Sequence, residues 1–71
     1  MTRQTVVSTD LKSVGYDRQT FLLELEFHKG GGVYQYSQIP EGVYAELMAS
    51  SSKGRYFNSS IKNRYDCQKV A

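Results

Sequence analysis

Apolar and polar side chains alternate between Thr20 and His28. Phe21, Leu23, Leu25 and Phe27 share one face; Leu22, Glu24, Glu26 and His28 share the other. That is the pattern of a β-strand with one buried side. Leu11 to Tyr16 reads as an earlier, shorter strand with Val14 and Tyr16 on one face. Gly15 between them suggests a bulge or a close approach of backbone. Asp17 to Thr20 is a polar turn between the two. His28-Lys29-Gly30-Gly31-Gly32 reads as a glycine-rich hairpin loop, since glycine adopts positive φ at little cost. Val33 to Ser37 returns as a third strand carrying Tyr34 and Tyr36.

After Ile39-Pro40-Glu41 the period changes. Proline suits the first turn of a helix, and Glu41 suits its positive end. Val43, Tyr44, Leu47 and Met48 cover one arc of that helix. Ser50-Ser51-Ser52 interrupts it and offers a cap for a second helix. There Gly54, Phe57, Ile61 and Tyr65 fall on one face. The predicted fold is α+β: a small antiparallel three-stranded meander, then two helices packed on one face, in the order β-β-β-α-α. The tyrosine pair belongs on the buried side of the sheet, because that leaves Gln35 with Glu24 and Glu26 in water. Met1 to Thr9 reads as a loose arm, and the residues after Asp66 as a loose tail.

These features occur in an order that resembles the KTSC domain, found at the C-terminus of some lysyl-tRNA synthetases and alone in small bacterial and phage proteins. The residues carrying the resemblance begin with Gly15-Tyr16-Asp17 and the alternating strand ending at Phe27. Tyr34-Gln35-Tyr36, Ile39-Pro40 and Ala49 with its following serine come next. Gly54-x-Tyr56-Phe57-Asn58, Ile61 and Tyr65 complete the set. The match covers about residues 8–66. The resemblance implies a stand-alone module without known catalytic residues, and RNA binding is the activity suggested for the family.

Length and charge sharpen this reading. A chain of 71 residues is one domain, 1–71, with little room for a deep catalytic cleft. The net charge of +2 hides a polarised distribution. Residues 51–71 carry five cations and one acid, a balance of +4, whereas residues 1–50 carry four cations and six acids, a balance of −2. A basic segment of this kind steers anionic partners.

The candidate nucleic-acid-binding residues are therefore Lys53, Arg55, Tyr56, Asn58, Lys62, Asn63 and Arg64. Cations neutralise phosphates, and an aromatic ring stacks on an unpaired base. On a helical wheel, Tyr56 lies opposite Phe57 and Ile61, between two rows of cations. The bland reading is a solvated helix face whose long stems cover apolar edges. The rival function is an adaptor of bacterial or phage origin that docks an acidic protein surface.

Other residues add little chemistry. Glu24 and Glu26 share a strand face, but no nucleophile or base is placed beside them, so no enzyme activity is expected. Gly30-Gly31-Gly32 lacks the lysine and helix of a phosphate-binding loop. The single cysteine, Cys67, has no partner for an internal disulfide and no metal-ligand spacing, so no metal or cofactor is expected. A reducing compartment fits it. With no signal-peptide core and no membrane-spanning stretch, the expected setting is the cytoplasm.

Overall fold

Leu23 and Leu25 are fully buried, and the rest of the molecule is arranged around the face they present. The computed structural model describes residues 1–71. Its elements are β1 (Gln4–Thr5), β2 (Leu11–Asp17), β3 (Leu22–Phe27), β4 (Val33–Tyr36), α1 (Glu41–Ala49), α2 (Lys53–Ser60) and β5 (Cys67–Lys69). The five strands form one antiparallel sheet in sequence order. Both helices are inserted between β4 and β5. Neither is long and apolar enough to cross a membrane.

The register explains the core. Leu25 lies opposite Val14 on one side and Tyr34 on the other, and Leu23 opposite Tyr16 and Tyr36. All of these side chains face the helices, so the tyrosine pair is on the buried side, as the alternation predicts. Leu47 from α1 and Phe57 from α2 close the core with Ile39 and Ile61. Gly30 and Gly31 have φ of 83° and 64°, which supplies the tight return from β3 to β4. The Tyr16 hydroxyl donates to the Ile39 carbonyl (2.6 Å), and its ring stacks on Tyr44 at 4.6 Å. These contacts anchor the chain as it enters α1.

The sheet has five strands, not three. The expected loose arm supplies β1 and the expected loose tail supplies β5. Strands of two and three residues carry too few positions to show a period. They form because a neighbour offers an unpaired edge. Phe21 also departs from expectation. It sits in the β2–β3 turn with φ 59° and is 49% exposed, outside the buried face. The turn is fixed by Gln19 N–H donating to Asp17 Oδ1 (2.9 Å) and Ile39 N–H donating to the Phe21 carbonyl (2.9 Å). The strand therefore starts at Leu22.

Glu24 departs most. It points away from the helices but is only 6% exposed, because the N-terminal arm crosses that side of the sheet. Arg3 pairs with its carboxylate, and Gln35 Nε2 donates to it (2.8 Å). Arg3 Nε also donates to Ser13 Oγ (2.9 Å), and Ser13 Oγ donates to Glu26 Oε1 (2.8 Å). Gly15 makes room for the arm: a β-carbon there would stand 2.8 Å from the Thr2 carbonyl oxygen. The close backbone approach is thus real, while the ladder irregularity falls between Leu11 and Ser13.

Two predictions follow from this packing. Phe57 is 6% exposed at the centre of the helix–sheet contact, so Phe57→Ala lowers unfolding free energy by about 3–5 kcal/mol in chemical denaturation. The second concerns pH. The Gln35 amide, and after it the Arg3 guanidinium, hold the Glu24 carboxyl below the ordinary glutamate range, against the upward push of burial. A carboxyl with a depressed folded pKa stabilises above its unfolded pKa, and that contribution fades as pH falls through the folded value. Arg3→Ala therefore costs about 1–3 kcal/mol near neutral pH, where a charged acceptor loses its donor. The gap between wild type and variant narrows as the medium is acidified, which thermal melts across that range measure.

Candidate nucleic-acid interface

The helix expected to run through Tyr65 stops at Ser60, and Ile61 is its C-cap. Asn63 adopts φ 64°, a left-handed conformation that asparagine tolerates better than most residues. Lys62, Asn63 and Arg64 therefore lie on a turn. Arg64 Nε donates to the Ser59 carbonyl (3.0 Å) and closes the helix end with a cation, which suits the negative pole there. At the other end Ser52 occupies the cap position without a side-chain capping bond. Lys53 Nζ donates to the Ser50 carbonyl (3.1 Å).

The seven candidate residues divide between two sides of α2. Tyr56 turns toward α1, where its hydroxyl donates to Glu46 Oε1 (2.7 Å). Burial, then the Glu46 carboxylate, push that hydroxyl's pKa up. The ring is half-buried against the core and does not stand free between rows of cations. Asn58 and Lys62 are on the opposite flank, where they line a groove with Lys29 from the β3–β4 loop. Arg55 is exposed and makes no hydrogen bond or ion pair. Replacing Tyr56 by Phe removes the bond to Glu46 and keeps the ring. The expected loss is about 0.5–1.5 kcal/mol of folding stability, read by denaturant titration.

The groove opens into a cleft of about 370 Å³ between the β3–β4 loop, the end of α2 and β5. Its walls are aromatic. Phe27 meets Tyr34 edge-on at 5.6 Å and Phe57 at 5.3 Å, and Phe57 meets Tyr36 at 5.6 Å. Three lysines surround it: Lys29, Lys62 and Lys69. No carboxylate lines it. Lys69 Nζ stands 6.0 Å from the centre of the Tyr34 ring. Deeper in, burial and the neighbouring Cys67 thiol push the Tyr36 hydroxyl's pKa up. Cys67 itself is a free, exposed thiol on β5, opposite Tyr36.

Lys29 and Lys69 were not among the residues singled out by the sequence. Lys29 is hidden in a loop whose glycines explain it fully as a turn. Lys69 lies on a strand too short to show a pattern. The usable signal was the pairing of Phe27 with its neighbour Lys29 at the end of the one clear strand, which puts an aromatic and a cation at the same sheet end.

Comparison with known proteins matches this architecture. The family model for the KTSC domain matches residues 7–65. A crystal structure of a KTSC domain protein from Yersinia pestis superposes with a TM-score of 0.94 at 38% identity, covering 99% of this chain and 97% of that one. A protein of Stutzerimonas stutzeri is 37% identical over 65 residues, 92% of this chain and 90% of the relative. A lysine–tRNA ligase of Trichormus variabilis is 34% identical over 61 residues, which is 86% of this chain but 11% of the ligase. With nearly its whole length matched, in sequence and in fold, the chain belongs to the KTSC domain family.

Proposed function

We propose that the domain is a non-catalytic, cytoplasmic module that binds RNA through the basic side of its second helix. One observation carries the reading. The ion pairs of the molecule take up Arg3 and Arg18, while Lys29, Lys53, Arg55, Lys62, Arg64 and Lys69 pair with no carboxylate. Cations without a carboxylate partner, most of them on or after α2, favour an anionic ligand. The acids Glu41 and Glu46 belong to α1; the flank of α2 that bears Arg55, Asn58 and Lys62 has one acid, Asp10 beside Gly54, against the cations Lys29, Arg55 and Lys62, and phosphates are directed there. Asn63 and Arg64 follow in the turn past the helix end, and Lys53 stands at the helix start, on the other side from Lys62. RNA is favoured over an acidic protein by the aromatic walls beside the lysines, and by the relative named as a tRNA ligase.

The test is the salt dependence of binding. Phosphate neutralisation by each cation contributes a slope of about −0.7 in log K against log salt on a single strand. Fluorescence anisotropy with labelled single-stranded RNA should show a steep slope. Replacing Arg55 and Lys62 together by Ala should weaken binding and flatten the slope by up to about two contacts' worth. If no RNA binds at low salt, the RNA reading fails and the cations serve an acidic protein partner.

A further inference from the structure

The cleft combines two properties that the helix face lacks: a fixed aromatic plane and a ring of cations drawn from three separate elements. Tyr34 is half-exposed there and held from several sides. Phe27 packs on it at an interplanar angle of 81°. A β-carbon at position 32 would stand 2.8 Å from Tyr34 Cε1 and 3.3 Å from Lys69 Cε, so glycine at this position lets the Tyr34 ring and the Lys69 stem settle against the backbone. Lys29 comes from the hairpin loop, Lys62 from the turn after α2, and Lys69 from β5 opposite Tyr34. Each can bring an ammonium to a common anion, because a lysine carries a mobile point charge on a long stem. Asp10 lies in the adjoining groove beyond Phe57, beside Gly54, and Lys29 and Lys62 line that groove as well as the cleft.

We infer that this cleft receives one unpaired nucleotide, its base against Tyr34 and its phosphate among Lys29, Lys62 and Lys69. The inference rests on the RNA reading above and gives it a specific subsite. The volume of about 370 Å³ falls at the small end of the range for ligand pockets, about 300–1,000 Å³, which suits a single nucleotide and not a helix. A base inside a duplex cannot enter such a recess, whereas a splayed base can stack on an aromatic side chain. The rings of Phe27 and Phe57 offer edges to a base lying over Tyr34. The lysines neutralise the phosphate without demanding the planar geometry that arginine imposes.

The experiment titrates the intact protein separately with adenosine 5′-monophosphate, ribose 5-phosphate and single-stranded RNA, following backbone amide resonances. The nucleotide should move Gly32, Tyr34 and Lys69 together. Ribose 5-phosphate should bind about tenfold more weakly, since it lacks the ring that stacks. Lys69→Glu, an exposed change that leaves the core intact, should weaken nucleotide binding at least about fivefold. Lys12→Glu changes the net charge equally outside the cleft and should leave binding nearly unaltered. Equal binding of ribose 5-phosphate overturns base recognition in the cleft. RNA binding that shifts only residues 53–59 and ignores Lys69→Glu overturns the subsite while leaving the RNA reading in place. If neither nucleotide nor RNA shifts any of these amides, both fail.

Discussion

The contact between Phe57 and the sheet is what the rest of the structure depends on. A 71-residue chain buries only about 60% of the surface its unfolded state exposes, so few side chains decide whether it folds. Phe57 is the α2 residue that reaches both Phe27 and Tyr36, edge-on in each case. It fixes α2 over the end of β3 and β4. Ile61, one turn further on, completes the seal and is fully buried. With α2 held there, the turn after it must carry Lys62 to the hairpin loop, and the chain must return to pair β5 with β4. The same aromatic seam is thus the edge of the core and the wall of the cleft.

The opposite side of the sheet is organised by charge. Glu24 would be costly to bury alone, and the arm that buries it also supplies the compensating Arg3. Gln35 and Ser13 complete a network in which every buried side-chain polar atom finds a partner. Three acids and two bases are used up by structure in this way: Arg3 with Glu24 and Glu26, and Arg18 with Glu41. The cations that remain uncommitted are mostly in the second half of the chain. The molecule is polarised because three of its acids are held in ion pairs, whereas none of its later cations pairs with a carboxylate.

Much of this was legible in the sequence. The alternation from Leu22 to Phe27 fixed the clearest strand and the side on which Tyr34 and Tyr36 lie. The spacing of Phe57 and Ile61 identified the anchor of α2. What escaped depends on residues distant in sequence. Glu24 looked solvated because its partner Arg3 is 21 positions away. The strands β1 and β5 take their register from neighbours and not from their own pattern. The helix was read five residues too long because Arg64 and Tyr65 keep its spacing, while Asn63 leaves the helical conformation. Phe21 fits the alternation by identity but not by backbone, since the turn places it at positive φ. The candidate site was legible as a basic segment. Its division into a flank tied to α1 and a flank facing the cleft was not, because it depends on where Glu46, Lys29 and Lys69 sit in space.

The central claim is that the free cations mark a binding face on one side of α2. The most direct test maps amide perturbations over the whole chain as single-stranded RNA is added at low salt. The account predicts movement at Lys29, Arg55, Asn58, Lys62 and Lys69, and stillness at Glu24, Gln35 and Gln68 on the far side of the sheet. Perturbation centred on α1 or on that far side, or no perturbation at millimolar RNA, contradicts it.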